Sequence, residues 1–423
     1  MNILLPYGKT HLSLEIPHNA EVLGGQLGAE QSIDLFVQQK IVHDALRSPI
    51  DSDNLEKLAQ GKKTATIIIS DHTRPVPSKL ILPPMFDALR LANPKIDITL
   101  LVATGCHRGP SKEELVAKLG EEIVAHEKIV IHDCDDESML IDLGNLPSGV
   151  PLKVNKLAVE TDLLLAEGFI EPHFFAGFSG GRKSVLPGVC GRTTVMSNHC
   201  AEFIDSENAR FGILQGNPLH IDMVAAAQKV RLAYIVNVVL DAHKQVVFAV
   251  AGNAINAHEI GCEFMAKKAR VLPAQKGDVV ITTNGGYPLD QNIYQTVKGL
   301  ATAEAVAAKG AILILCAECS DGMGGDHFYR ALKDAPTPTA LLENLRKVPA
   351  PLTTPDQWQY QILARILEKH QVLFVTLPSL KEQIEQMHMT YCESIEQALT
   401  IAHEKKGKDA HTVILPDGVS VYA

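Results

Sequence analysis

Short uninterrupted apolar runs alternate along this chain with longer stretches in which apolar positions recur every three or four residues. The runs are TATIIIS over 64–70, DITLLVATG over 97–105, KIVIHD over 128–133 and DLLLAEG over 162–168. A strand covered on both faces of a parallel sheet has no solvent side, so its residues need not alternate, and runs of this kind predict buried parallel strands. Between them, SKLILPPMFDALRLA over 78–92 and SKEELVAKLGEEIVAH over 111–126 predict crossover helices. The second opens with a capping box from Ser111 to Glu114. The first three runs therefore read as βαβαβ. Further on, RLAYIVNVVLD and KQVVFAVAG flank a short turn at 241–244 and predict a hairpin between Arg231 and Gly252.

A Pro/Gly break in VLPAQKGD near Leu272 marks a second unit. After it come VVITTNGG over 279–286, a helix carrying Asn292 to Leu300, GAILILC over 310–316, VLFVTLP over 372–378 and HTVILPDG over 411–418, again with βαβ character. The expected architecture is two α/β domains, 1–271 and 272–423, with mostly parallel sheets and an active-site cleft between them. In open α/β sheets, ligands sit beyond the carboxyl ends of the strands. The loops that follow strands are therefore where chemistry is expected.

Composition narrows the class. With 423 residues, 46% of them apolar, the chain can bury a substantial core. A formal charge of −10 opposes wholesale nucleic-acid binding, which calls for a basic face. No apolar run approaches the roughly 20 residues of a membrane span, and MNILLPYGKTHLSLEIP lacks a basic region followed by a long apolar core. A soluble cytoplasmic protein is expected, with no nucleic-acid or membrane partner. Eight scattered cysteines fit reduced, buried thiols rather than a disulfide scaffold. Cys316-Ala-Glu-Cys319 alone has a suggestive spacing, but structural zinc wants four ligands and no second pair stands at finger spacing.

Three post-strand loops hold reactive residue types. Asp71-His72-Thr73-Arg74 follows the first run, Cys106-His107-Arg108 the second, and the segment from His173 to Lys183 the fourth. In EGFIEPHFFAGFSGGRKSVLPGVCGRTTVMSNH, Gly177, Gly180 and Gly181 would permit positive φ and close approach to a ligand, and Arg182 and Lys183 would meet an anion. His173 and His199 flank that turn, and imidazole is both the usual acid/base near neutrality and the commonest metal ligand. The loop nearly matches a phosphate-binding G-x-x-x-x-G-K-[ST], but Arg182 stands where the second glycine belongs and the loop trails its strand by too many residues. Lys183 reads instead as an attachment point for a cofactor. In the second unit, Tyr294, Gln295 and Lys298 stand at i, i+1 and i+4 of a helix and form a candidate carboxylate clamp. Trp358, the single tryptophan, is a core ring or a lid over a small substrate.

Five blocks carry a resemblance over nearly the whole chain: DHTRPVP from Asp71, ATGCHR from Ala103, EGFIEPHFFAGFSGGRKSVLPG from Glu167, the pair Asn198-His199, and NGGYPLDQNIYQTVKG from Asn284. Together they resemble the nickel-dependent lactate racemase family. The resemblance implies a nickel pincer nucleotide, a pyridinium-3,5-bisthiocarboxylic acid mononucleotide that holds Ni(II) through two sulfurs and a ring carbon. By the same resemblance it is covalently attached to Lys183, His199 supplies the remaining nickel ligand, and Asp71, His72, Thr73 and Arg74 contact the cofactor. Sulfur with imidazole in a planar arrangement suits Ni(II). His107 and His173 map onto the family's acid/base pair, and Gln295 and Lys298 onto its substrate-binding residues; Tyr294 and Trp358 are further candidates for the pocket.

The implied reaction interconverts D- and L-lactate. One histidine takes the hydroxyl proton while the α-hydrogen leaves as hydride, and return to the opposite face gives the mirror image. Hydride loss avoids a carbanion beside a carboxylate. The implied partners are a small 2-hydroxy acid substrate and accessory enzymes that build the cofactor. A racemase of another 2-hydroxy acid, malate or a short-chain aliphatic one, and a non-catalytic anion-binding α/β module stay open as alternatives. A nicotinamide-dependent dehydrogenase would carry G-x-G-x-x-G directly after its first strand, where DHTRPVP stands.

Overall fold

The computed structural model describes residues 2–26 and 32–423. The chain divides into two compact units. One comprises the chain up to Gln26, His199–Asp205 and Lys268–Ala423, and the other holds the remainder up to Lys267.

The unit that contains Asp71 is built on a six-stranded sheet in the order Val246–Gly252, Leu232–Leu240, Leu163–Phe169, Thr64–Ser70, Asp97–Ala103, Lys128–Ile131. All neighbours are parallel except the first pair, which is the expected hairpin. The apolar runs form strands because both faces are covered: Ile67, Ile68 and Ile69 are each 0% exposed. Each such side chain contributes roughly 1.5–3 kcal/mol by leaving water. The helix Ser78–Ala92 matches its expected span. The second crossover is two helices, Lys112–Leu119 and Glu121–His126, because Gly120 takes φ 92° between them. The capping box at its start is present, Ser111 Oγ accepting from Glu114 N and Glu114 Oε2 from Ser111 N.

Strand order reverses direction between Thr64–Ser70 and Leu163–Phe169, since the chain leaves the first toward one edge and the second toward the other. Parallel strands parted in this way open a crevice at their carboxyl ends. Asp71 and the segment after Phe169 stand at that crevice.

The other unit has its own six-stranded, all-parallel sheet: Thr390–Cys392, Gln371–Val375, Ala307–Cys316, Gly277–Thr283, Thr412–Leu415, Ala20–Val22. Its reversal point lies at Gly277–Thr283, and the loop from Asn284 leads from there into the helix Ile293–Val306. The expected boundary at 271/272 lies close to the Lys268 edge, but two segments depart from a simple cut. Ala20–Val22 adds a parallel edge strand beside Thr412–Leu415, and the hairpin Asn2–Tyr7/Thr10–Glu15 buries Leu5 and Leu14 in the same core as Val279 and Ile314. His199–Asp205 joins this unit through Gln361, whose Nε2 donates to Ala201 O (2.8 Å) and Asp205 Oδ1 (3.0 Å).

Candidate active site

Three parallel strands, Leu163–Phe169, Thr64–Ser70 and Asp97–Ala103, lie side by side and deliver their following loops to one edge. Asp71 is the centre of the first loop. Its Oδ1 accepts from Thr73 N (3.0 Å) and Thr73 Oγ1 (2.6 Å), and its Oδ2 meets His107 Nδ1 at 2.7 Å. Burial alone would push this carboxyl up, yet the hydrogen bonds from His107 and Thr73, with the charges of His107 and Arg74, hold it below the usual carboxylate value. An ionised Asp71 fixes the proton of His107 on Nδ1 and leaves a lone pair on Nε2. The His107 side chain is 49% exposed, so that lone pair is within reach of a ligand.

His173 has the opposite arrangement. Its Nδ1 accepts from Ala176 N (3.3 Å) and, more weakly, from Phe175 N (3.5 Å), which places the ring proton on Nε2. The ring packs edge-on against Phe175, centroids 4.4 Å apart, and Lys183 Nζ lies 5.6 Å from the centre of that same ring. Burial, then the charges of Arg182 and Arg74, hold the Lys183 amine well below the usual lysine range, with Glu171 opposing. That shift favours the neutral amine, the form that a covalent link through nitrogen requires. Residues 71, 74, 107, 173 and 183 thus occupy one neighbourhood of this unit. His72 lies beside it, Nε2 3.7 Å from Glu114 Oε1, with its Nδ1 buried and unpartnered among the described residues.

Arg182 departs from its expected role as an anion contact. It is 1% exposed and spends its donors on the loop: Nη1 donates to Phe178 O (2.7 Å), Nη2 to Ala176 O (2.7 Å) and Nε to His220 Nδ1 (3.0 Å). The glycines do take positive φ, 77°, 78° and 51° at 177, 180 and 181. The space a side chain would need is filled by protein rather than left for a ligand. A Cβ at Gly181 would stand 2.6 Å from the His258 ring, and one at Gly180 2.7 Å from Phe169 O. The tight turn directs carbonyls inward, and only a guanidinium offers enough donors to satisfy several at once. Arg108 is likewise committed, paired with both oxygens of Glu114 at 2.7 and 2.6 Å.

Several contributors were not singled out from the sequence. Glu167, 2% exposed, accepts on Oε1 from Ser70 N (3.2 Å), Ser70 Oγ (3.3 Å) and Ser78 Oγ (3.0 Å), tying the Asp71 loop to its neighbouring strand. Asn237 Oδ1 accepts from Gly181 N at 2.7 Å. A carboxylate or amide inside an otherwise apolar strand was the available signal in both cases.

In the other unit, His199 is 4% exposed and its ring centroid lies 5.0 Å from that of Trp358. Tyr294, Gln295 and Lys298 share the half-buried face of the helix Ile293–Val306, opposite its buried residues Thr296, Val297 and Leu300. Asn292 caps that helix by accepting from Gln295 N (3.1 Å), and Tyr294 Oη donates to Asp356 Oδ1 (2.8 Å) two residues before Trp358. Cys316 and Cys319 are buried thiols pushed up by burial, and Cys316 belongs to the apolar core. The pair behaves as strand-end packing.

Comparison with known proteins also matches the chain in two parts. Residues 7–212 match the lactate racemase N-terminal domain and residues 272–423 the lactate racemase C-terminal domain. The chain is 46% identical over 422 residues to a lactate racemase of Thermoanaerobacterium thermosaccharolyticum, covering 99% of this chain and 98% of that one. It is also 46% identical over 419 residues to a lactate racemase of Lactiplantibacillus plantarum, with the same coverage. The solved structure of the lactate racemase apoprotein from T. thermosaccharolyticum superposes with a TM-score of 0.93 at 45% identity, over 100% of this chain and 99% of that one. A Thermotoga maritima protein of 19% identity shares the fold alone, with a TM-score of 0.62 over 91% of this chain and 98% of its own.

Proposed function

The chain belongs to the lactate racemase family and is an isomerase, and from that premise we propose that it interconverts D- and L-lactate with His107 and His173 as an alternating acid/base pair. The observation that carries the pairing is the opposite poise of the two rings. Asp71 fixes a proton on His107 Nδ1 and leaves its Nε2 as acceptor, while backbone amides on His173 Nδ1 leave its Nε2 as donor. A racemase needs one group to remove a hydroxyl proton and another to return one. In the reverse direction the two rings exchange states, and the Asp71 carboxylate stabilises the cation whenever it forms on His107.

Lys183 fits a covalently held cofactor because its surroundings disfavour the ammonium form, and His199 fits a metal because it is a buried imidazole. In this reading Lys183 tethers a nickel pincer nucleotide, His199 ligates its Ni(II), and Asp71, His72, Thr73 and Arg74 line it. When bound, that group supplies an electron-poor centre able to accept the α-hydrogen with its electron pair. The chain's own residues do the rest. Lys298 and Gln295 hold the substrate carboxylate as an ammonium and a neutral donor on one helix face, and Tyr294 and Trp358 wall the pocket. Accessory enzymes that build the cofactor are the expected partners.

Eight free thiols favour the cytoplasm as the compartment. Among the described residues no helix is long and apolar enough to cross a membrane. Chiral chromatography of the loaded protein with D-lactate, L-lactate, malate and short aliphatic 2-hydroxy acids tests the reading. Lactate should racemise fastest, and His107→Ala and His173→Ala should each lower the rate by about 10²–10⁴. Preference for malate would replace lactate as substrate, and activity retained in either alanine variant would remove that histidine from the mechanism.

A further inference from the structure

The helix Gln357–Lys369 begins in an unusual way. Its N-cap, Asp356, sits at φ 65° and ψ 1° in the left-handed region, and its carboxylate accepts from none of the first-turn amides. An aspartate in that position ordinarily caps the helix it precedes. A non-glycine residue held left-handed carries strain that persists only where the surrounding structure fixes it. Here the carboxylate is turned elsewhere: Oδ1 accepts from Tyr294 Oη at 2.8 Å. One turn further on, Gln359, 1% exposed, donates from Nε2 to the main-chain oxygen of the same tyrosine. The Tyr294 ring meets the buried ring of Phe328 edge to face, centroids 5.3 Å apart and planes at 72°. Tyr294 is thus held at its hydroxyl, its ring and its backbone, on the half-buried helix face that also carries Gln295 and Lys298. In sequence Trp358 stands between the two gripping residues, its ring centroid 5.0 Å from that of His199.

We propose that Asp356 is a positioning residue which, with Gln359, fixes Tyr294 as a rigid wall and so sets how long a 2-hydroxy acid the pocket admits. Free rotation about its side-chain torsions would let the ring swing aside for a larger substrate. A ring pinned at hydroxyl, face and backbone cannot, so an added methylene meets a clash instead of a rearrangement. Discrimination of this kind is worth about 10–200-fold in kcat/KM per methylene. The size limit rests on the reading of Tyr294 as a pocket residue; the grip on Tyr294 does not. Asp356 acts on the substrate only through Tyr294, so its loss should change selectivity and KM more than kcat.

Glycine adopts a φ of 65° without steric cost, so Asp356→Gly removes the carboxylate and keeps the helix start. In the cofactor-free protein, Tyr294→Phe should lower the melting temperature of the parent and leave that of Asp356→Gly unchanged, because the hydroxyl has then already lost its partner. An equal drop in both backgrounds would overturn the contact. In the loaded enzyme, chiral chromatography compares kcat/KM for lactate and for 2-hydroxybutyrate, which is one methylene longer. Asp356→Gly should lower the preference for lactate by about tenfold, mainly through KM. Asp356→Asn, which tolerates the left-handed region and keeps an acceptor oxygen, should restore it. A preference unchanged in Asp356→Gly, or lost equally in Asp356→Asn, would overturn the positioning role. A parent that racemises neither acid would instead count against the functional reading, and the melting temperatures would still decide whether Asp356 holds Tyr294.

Discussion

Replacing Asp71 by asparagine tests whether His107 is poised by its carboxylate. The substitution is nearly isosteric in a side chain that is 2% exposed, so packing is preserved and the charge is removed. Oδ1 of the new amide still accepts from Thr73 N and Oγ1, as the carboxylate does at 3.0 and 2.6 Å. That fixes the amide –NH₂ toward His107 Nδ1, where Oδ2 stood at 2.7 Å. The amide donates where the carboxylate accepted, so the ring must move its proton to Nε2 and lose the lone pair that serves as base. A hydrogen bond to a charged group is worth about 1.5–3 kcal/mol. His107 is half exposed, and solvent screening keeps the loss of charge pairing near the middle of that span, about 2 kcal/mol or about 30-fold in rate. The tautomer reversal adds to this, with a ceiling of about 10⁴-fold, the loss seen when the buried aspartate of a serine protease triad is changed in the same way. The assay is kcat/KM for D- and L-lactate by chiral chromatography, with melting temperature as the control for folding. Enantiomers have equal free energy, so kcat/KM must fall by the same factor in both directions. A folded Asp71→Asn enzyme within about threefold of the parent would refute the reasoning, and unequal loss in the two directions would mean that the measurement does not report racemisation.

Arg182→Lys should destabilise the cofactor-free protein by about 3 kcal/mol or more, because an ammonium cannot reach the Phe178 and Ala176 carbonyls and His220 together; an unchanged melting temperature would return Arg182 to an anion-binding role. Lys183→Met should raise the melting temperature of the cofactor-free protein while abolishing covalent loading. With the folded-state pKa depressed, the unfolded chain binds the extra proton, so the parent gains stability as pH rises toward the ordinary lysine value. The methionine variant should lose that slope, and a parent curve flat on the alkaline side would contradict it. Trp358, the single tryptophan, has its ring 5.0 Å from that of His199, so nickel bound at His199 should quench tryptophan emission in the parent and not in His199→Ala. Equal quenching in both would place the metal elsewhere.

The elements most legible in the sequence were those whose signal is local. Buried parallel strands leave continuous apolar runs, and the helix Ser78–Ala92 lies within one amphipathic stretch. The membership of the two units was less legible because it depends on pairing across the chain. Ala20–Val22 is three residues long, none of them buried, and becomes an edge strand only beside Thr412–Leu415. The single break in the second crossover helix follows from Gly120, whose φ of 92° an unbroken helix does not allow.

Arg182 and Lys183 show where a motif stops being informative. Side by side in a glycine-rich loop, two cations read as one anion site, yet the turn separates their fates. Gly177, Gly180 and Gly181 bend the backbone so that carbonyls face inward, and whichever cation follows them into the interior must satisfy those oxygens. Arg182 does so and becomes scaffold. Its buried charge then acts on Lys183 from the next position, and with burial and Arg74 it makes an ammonium there costly. The guanidinium that reads in sequence as waiting for a ligand instead adds to the depression of the neighbouring amine's pKa. A chain with glutamine at 182 would satisfy fewer carbonyls and impose no charge on Lys183, so both the loop's rigidity and the nucleophilicity of its lysine would fall together. Stability and reactivity of this segment are therefore coupled through one residue, and that coupling depends on a three-dimensional turn that spacing alone does not specify.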